Sequence, residues 1–246
     1  MLYSDILNGI NDRMNNSYFS STKSNEIFRS VNQALRDINA GKLSDDPLSQ
    51  PKRRVAYDFQ KESTDLTYAS GTERYAVVAT VGIALNTLKW IDNILIDDDE
   101  NKIFTKRTAD YYRRKRGVNT STEKMFAEEY QNGTKYLLIY HSESDTLNVI
   151  WYSNYLVTYG GIRQLYFSDG TTLNNQELLI PDDFADCVID ITCGYLTLMD
   201  RNEQSLTSNL FLNRGRETLR NMINSIGCYE KKPVSVINLP SEWGIY

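Results

Sequence analysis

Residues 180–227 constrain the fold most strongly, because they predict two long helices whose apolar surface cannot be buried by the pair alone. Pro181 and the two aspartates after it are typical of a first helical turn, where proline's fixed φ and negative charge are both favourable. Apolar residues then recur every three or four positions, and Gly227 lies where a second such stripe ends. The pattern predicts an antiparallel helical hairpin. Its solvated face would carry Asn209, Asn213, Arg216, Arg220 and Asn224.

Two apolar stripes near the start of the chain could supply the missing partners. They cover residues 3–14 and 27–38, and Gly41 ends the second. Helices from both ends of the chain would then pack together, with the residues between them inserted. We therefore predict an α+β fold, in which a helical bundle formed by N- and C-terminal helices carries an inserted antiparallel β-rich domain.

The middle of the chain has the strand and turn signals that such an insertion needs. Residues 88–96 are typical of a buried strand, and an acidic turn follows them. Residues 125–131 and 134–141 flank Asn132-Gly133, a dipeptide favoured in two-residue hairpins. A further alternating strand begins near Leu147, so the pattern predicts a three-stranded meander.

These patterns predict a chain in four parts. Residues 1–44 form the N-terminal helices of the bundle, and residues 45–179 form the inserted β-rich domain. The insertion includes a short helix at 105–116, with Thr105 as its N-cap. Residues 180–227 form the helical hairpin that completes the bundle, and 228–246 form an extended tail. The tail ends in apolar and aromatic side chains, and docking on another protein or on its own domain would both account for them.

Composition excludes several classes of protein. The 246-residue chain has a net charge of -5, which argues against wrapping nucleic acid by gross charge. Its longest apolar run, 76–85, is far shorter than the roughly 20 residues of a membrane-spanning helix. Cys187 and Cys193 are too far apart on one helix to form a disulfide, which favours reduced thiols and synthesis in a cytoplasm. We expect a soluble protein with no membrane partner.

Residues for catalysis are few. His141 is the only histidine, which excludes most histidine-based triads and metal sites. The acidic turn 97–100 could bind a hard cation, and a metal-dependent hydrolase is one hypothesis, but the spaced ligands of a calcium loop are missing. Asp186 and Asp190 are four residues apart, as expected on a solvated helix face. We predict no enzyme, no catalytic or metal-binding residues and no cofactor.

A dense basic cluster lies at the end of the predicted short helix. Cations are favourable at a helix C-terminus, so a structural role accounts for the cluster. Contact with an acidic partner or with DNA is the alternative, since two tyrosines lie beside it, and a nucleic-acid-binding regulator is therefore a second hypothesis. The four residues are Arg113, Arg114, Lys115 and Arg116.

Two phrases of the sequence resemble the head-to-tail adaptor proteins of tailed bacteriophages, also called connector, ring or head-completion proteins. Residues 31–38 read VNQALRDI, similar to the opening helix pair of that family. Residues 180–184 read IPDDF, similar to the phrase with which the family re-enters its helical bundle after a β-rich insertion. The resemblance spans roughly residues 2–226. The segment 155–179 is longer than the family pattern, and the tail contains no phrase of the family.

The resemblance implies a structural virion protein at the head-tail junction, synthesised in the host cytoplasm. Copies would form a homo-oligomeric ring, expected to be a dodecamer, beneath the portal protein. The ring would extend the DNA channel and provide a platform for the next neck or tail component. DNA would pass without specific binding. In the family a C-terminal extension reaches the portal, which implies contacts here from Pro233, Pro240, Trp243, Ile245 and Tyr246.

Overall fold

A computed structural model describes residues 1–14, 23–50, 53–97, 99–116, 123–140, 145–201 and 206–232. The fold is α+β with antiparallel sheets. The described helices are α1 (Tyr3–Arg13), α2 (Ser24–Ala40), α3 (Ala109–Arg116), α4 (Asp182–Arg201) and α5 (Leu206–Ile226). The described strands are β1 (Val55–Tyr57), β2 (Lys61–Tyr68), β3 (Arg74–Ala76), β4 (Leu88–Ile96), β5 (Asp99–Ile103), β6 (Thr105–Lys106), β7 (Met125–Gln131), β8 (Thr134–Tyr140), β9 (Asp145–Ser153), β10 (Val157–Tyr159), β11 (Ile162–Gln164), β12 (Glu177–Leu178) and β13 (Gly227–Tyr229).

The chain divides into two compact units. The first contains Met1–Lys61 and Tyr152–Glu230, and the second contains Glu62–Trp151 together with Lys231 and Lys232. Residues 62–151 of the second unit lie within the stretch 45–179 that the sequence predicts as an insertion.

Helix α4 is the centre of the first unit, where it packs against α1, α2 and α5. Every residue from 187 to 194 is buried, as the broad apolar circumference of this helix predicts. Helix α4 begins at Asp182 and α5 ends at Ile226, so the predicted helix termini at Pro181 and Gly227 are confirmed. The core includes apolar side chains from all four helices of this unit: Ile6, Ile10, Val31, Leu35, Val188, Ile191, Leu219 and Met222.

Two glycines allow α4 and α5 to approach closely. A Cβ atom added to Gly194 would lie 2.6 Å from Cγ of Leu212, and one added to Gly215 would lie 3.0 Å from the backbone nitrogen of Ile191. The predicted solvated face of α5 has one exception, because Arg216 is only 12% exposed and its Nη2 lies 2.9 Å from Oδ1 of Asp45.

Two small sheets complete the first unit. Strands β10, β11 and β12 form one, in the order β11-β10-β12. Strand β13 pairs antiparallel with β1 in the other, where Cys228 lies opposite Ala56 and Tyr229 opposite Val55. Cys228 and Tyr229, which the sequence predicts as the start of the tail, thus belong to a strand.

The second unit contains two four-stranded sheets, ordered β2-β9-β4-β5 and β3-β8-β7-β6. The buried strand predicted at 88–96 is confirmed as β4. Strands β7 and β8 form the predicted hairpin, and the positive φ angles of 51° at Asn132 and 76° at Gly133 are those of a two-residue turn.

The predicted three-stranded meander is wrong. Strand β8 pairs with β7 on one side and with β3 on the other, where Arg74 lies opposite Leu138. Both edges of β8 are thus occupied, and β9 lies between β2 and β4 in the other sheet. Leu147, Val149 and Trp151, which share one face of β9, are buried.

Helix α3 begins at Ala109, four residues later than predicted. Thr105 is not an N-cap, because it lies in β6 and pairs in parallel with Met125 of β7. Thr108 has the capping role instead, and its Oγ1 accepts a hydrogen bond from the Tyr111 N–H at 3.2 Å.

We expect Gly215→Ala to destabilise the first unit by about 1–3 kcal/mol, although alanine is the better helix former, because the methyl group would push α5 away from Ile191. Urea unfolding followed by circular dichroism measures this loss. The control is Ser225→Ala on the exposed face of α5, which should change stability by less than about 0.5 kcal/mol. Equal stability of the two variants would contradict the close contact.

Candidate interaction surface and buried charge clusters

The basic cluster lies on α3, which packs across β7 and β8. Tyr112 anchors the helix, because its ring is 2% exposed and its hydroxyl donates to the Ile139 carbonyl at 2.8 Å. The four basic side chains are at the C-terminal end of the helix and are exposed. The predicted position of the cluster at a helix C-terminus is therefore confirmed.

Two of the four basic residues form ion pairs within their own unit. Arg113 contacts the carboxylate of Glu129, and Arg116 contacts that of Glu73. Glu129 is only 11% exposed and also pairs with Arg74 at 2.9 Å, so these charges hold α3 to the sheet.

Arg114 and Lys115 make weaker contacts. The Arg114 Nε donates to the Asp110 carbonyl at 3.4 Å, and the Lys115 Nζ lies 6.0 Å from the centre of the Tyr111 ring. Both side chains stay exposed to solvent. A contact with DNA or an acidic partner therefore stays a prediction. Arg114 and Lys115 are better placed to make it than Arg113 and Arg116, whose charges are paired with carboxylates.

The portal-facing residues predicted in the tail lie outside the described residues, as does His141. These are Pro233, Pro240, Trp243, Ile245 and Tyr246.

The acidic turn is described in part, because Asp98 is not among the described residues. Asp97 has a positive φ of 50°, and the Asp99 carboxylate lies 3.6 Å from Lys102 Nζ. Over the described ranges, no group of three or more histidine, cysteine, aspartate or glutamate side chains could hold a metal ion.

Asp190 is not on a solvated face, so that prediction is wrong. Its side chain is 0% exposed and lies between Arg13 Nε at 2.8 Å and Arg214 Nε at 3.2 Å. Asp186, one turn earlier, is 57% exposed and pairs with Arg13 at 3.0 Å. The carboxylate thus links α1, α4 and α5. Because Arg13 and Arg214 are distant in sequence, the i,i+4 spacing of the two aspartates could not reveal this cluster.

Burial is the main cause of a raised pKa at Asp190, because a buried carboxylate loses its hydration. The guanidinium groups of Arg13 and Arg214 oppose the rise, and the neighbouring charge of Asp186 adds to it. Two thiols on the same helix, Cys187 and Cys193, are also buried, and burial raises the pKa of each. Burial therefore disfavours the charged forms of the Asp190 carboxyl and of the Cys187 and Cys193 thiols.

A partly buried carboxylate, that of Glu128 of β7 with 17% exposure, lies between two lysines. Oε1 of Glu128 is 2.6 Å from Lys106 Nζ, and Oε2 contacts Lys135 Nζ. Lys135 is only 7% exposed, and Lys106 also donates to the Ile91 carbonyl of β4 at 2.7 Å. The cluster thus ties the two sheets of the second unit together. The alternation of side chains between the two faces of β7 could have revealed this cluster, since Glu128 lies on the same face as Phe126, which is fully buried.

The pKa of Glu128 moves in the opposite direction to that of Asp190. Burial alone would raise it, but the ammonium groups of Lys106 and Lys135 outweigh burial and hold the pKa below its ordinary value. The ionised form of Glu128 is therefore favoured by folding.

No protein-family model matches the chain, and no curated protein matches it. Among the helices of the described chain, none has the length and apolarity needed to cross a membrane.

We expect Asp190→Asn to gain stability relative to the unmodified chain as the pH rises from about 4 to about 7. A raised folded pKa means that folding favours the protonated carboxyl, so the contribution of Asp190 is present at low pH and lost as the pH rises through that pKa. Urea unfolding at several pH values measures the trend. The control is Glu217→Gln on the exposed face of α5. An identical pH trend for both variants would contradict the burial effect.

We expect the reverse trend for Glu128→Gln, which leaves the ammonium groups of the buried Lys135 and the partly buried Lys106 without this carboxylate. The variant should lose about 3–5 kcal/mol near pH 7. The loss should shrink as the pH falls through the unfolded pKa of glutamate, because a lowered folded pKa stabilises only above that value. Asp110→Asn, a change at a carboxylate that is 83% exposed, is the control. A loss that is independent of pH would exclude the charge pairing as its cause.

Proposed function

We propose that this chain is a structural virion protein, a head-to-tail adaptor of a tailed bacteriophage. Copies of it form a ring under the portal protein, with a dodecamer as the expected size. The ring extends the DNA channel and provides a platform for the next neck or tail component. In this proposal the chain is synthesised in the host cytoplasm, is located at the head-tail junction and is not an enzyme.

One observation carries the proposal: helices from both ends of the chain pack on α4. Helices α1 and α2 precede the β-rich unit in sequence, α4 and α5 follow it, and α4 contacts the other three. This packing supports the finer arrangement that the resemblance implies, in which N- and C-terminal helices form one bundle and the β-rich residues are an insertion. The family phrases at 31–38 and 180–184 both fall within it, in α2 and at the start of α4.

The charge of the chain fits passage of DNA through a ring. A net charge of -5 per copy repels the phosphate backbone, so DNA can pass without specific binding. The positive charges of Arg113 and Arg116 are compensated by Glu129 and Glu73, which reduces the basic surface available to DNA. For the same reason the nucleic-acid-binding regulator is the weaker proposal, with only Arg114 and Lys115 to support it.

The tail is the proposed contact with the portal. Its apolar ends, Trp243, Ile245 and Tyr246, provide the aromatic and aliphatic groups common at the centres of stable interfaces. Pro233 and Pro240 limit the conformations of the free tail and so lower the entropy lost on binding.

We expect rings on the portal when the purified chain is mixed with the portal protein encoded in the same genome. Negative-stain electron microscopy and co-migration in gel filtration measure the result. The double variant Trp243→Ala, Tyr246→Ala should bind at least about tenfold more weakly, as expected for the loss of aromatic anchors. Tyr130→Ala is the control, because it removes an aromatic ring that is 69% exposed elsewhere on the chain. Absence of both rings and co-migration for the unmodified chain would refute the adaptor proposal.

A further inference from the structure

The pairing of β1 with β13 gathers basic residues from distant parts of the sequence. The two strands are antiparallel, and the Glu230 N–H donates to the Arg54 carbonyl at 3.0 Å. The start of β1 and the end of β13 are therefore neighbours. Arg53 and Arg54 directly precede β1, and Lys231 and Lys232 directly follow Glu230. These four basic residues are called here the basic root, because the rest of the tail follows them in the sequence.

The cations of the basic root are available to a partner, since all four side chains are exposed to solvent. Among the ion pairs between described residues, none includes Arg53, Lys231 or Lys232. The cations Arg113 and Arg116 of α3 differ, because each contacts a carboxylate of its own unit. Three of the four cations in the basic root therefore give up no ion pair of this kind when they bind a new carboxylate.

The distribution of charge favours a protein partner over DNA. A net charge of -5 that includes these four cations leaves -9 on the remaining residues. Duplex DNA carries about one negative charge per 1.7 Å along its whole length, so the rest of the chain repels it. A protein can present carboxylates over a small area, and the basic root can meet them while the other charges stay about a Debye length away, roughly 8–10 Å. Arginine also forms paired hydrogen bonds with a carboxylate.

The sequence ties the basic root to the apolar end of the tail. Ten residues separate Lys232 from Trp243, and they span at most about 36 Å when fully extended. A partner that binds the aromatic end of the tail is therefore also within reach of the basic root. Two contacts joined in this way strengthen one another, because the first raises the local concentration of the second.

We propose that the basic root binds a patch of carboxylates on the portal protein and steers the chain towards it. The inference rests on the proposed function, in which the tail contacts the portal, and it adds the charge of the portal surface beside that contact. Attraction between opposite charges raises the rate of association and is weakened by salt. The apolar end of the tail then determines how slowly the complex dissociates.

The test measures the kinetics of binding to immobilised portal protein, encoded in the same genome, by biolayer interferometry at several salt concentrations. In the basic-root variant, glutamine replaces all four cations. Its association rate at low salt should be about tenfold lower than that of the unmodified chain, and the difference should shrink as salt is added. A control variant loses the same number of charges elsewhere and should associate within about twofold of the unmodified rate. Its glutamines replace four exposed residues: Arg29, Arg36, Lys61 and Arg220.

Two small probes test the chemistry of the site without the portal. One is a fluorescein-labelled hexaglutamate peptide, and the other is a labelled DNA duplex, and fluorescence anisotropy measures the binding of each at low salt. The peptide should bind the unmodified chain and the control variant, and binding should be lost in the basic-root variant. Urea unfolding of the basic-root variant should match that of the unmodified chain, because the four side chains are exposed. Binding of DNA but not of the peptide would overturn the inference in favour of a nucleic-acid partner.

The outcomes separate this inference from the adaptor proposal. Binding of the portal at the same rate by the unmodified chain and the basic-root variant would overturn the inference alone. Binding of the peptide through the basic root, without any binding of the portal, would refute the adaptor and assign the basic root to a different acidic protein. If the unmodified chain binds neither the portal nor the peptide, both proposals are wrong.

Discussion

Burial of α4 on several sides is the constraint on which the first unit depends. Three other helices contact it, and one of them approaches so closely that glycine is required at 194 and 215. A helix buried in this way has no water to satisfy its polar side chains, so they must find partners within the protein. The Thr192 hydroxyl donates to the Val188 carbonyl at 2.6 Å, and Asp190 is held by arginines from the two neighbouring helices. Close packing and internal pairing are therefore two consequences of the same burial.

The carboxylates of Asp190 and Glu128 show why pairing alone does not determine a pKa. Asp190 and Glu128 each lie between two cations, yet the pKa is raised at Asp190 and lowered at Glu128. The partners of Glu128 are little exposed, with Lys106 at 15% and Lys135 at 7%. Arg214, by contrast, is 64% exposed, so water screens its charge, and the carboxylate of Asp186 adds repulsion. Desolvation therefore has the larger effect on the pKa of Asp190, and ion pairing has the larger effect on the pKa of Glu128.

Local patterns in the sequence predicted local structure, and non-local contacts account for the errors. The bounds of β4, the turn at Asn132-Gly133 and the ends of the helical hairpin depend on residues a few positions apart, and all are confirmed. The meander failed because β3, which is distant from β8 in sequence, occupies the edge of β8 that β9 was expected to use. The same limit applies to the candidate site. Periodicity located the basic cluster on α3, but its partners Glu73 and Glu129 are brought to it only by the sheet. The four-part domain organisation stays a prediction.

Internal ion pairing also bears on what kind of contact the proposed ring can use. Many of the basic side chains in the second unit are committed to carboxylates of that unit: Arg74, Lys106, Arg107, Arg113, Arg116 and Lys135. A cation already paired gains little from a second carboxylate, because the first pair must share or lose its partner. Copies of an acidic chain with its cations paired in this way cannot rely on charge attraction to one another. Contacts between copies in the proposed ring would then have to use apolar surface.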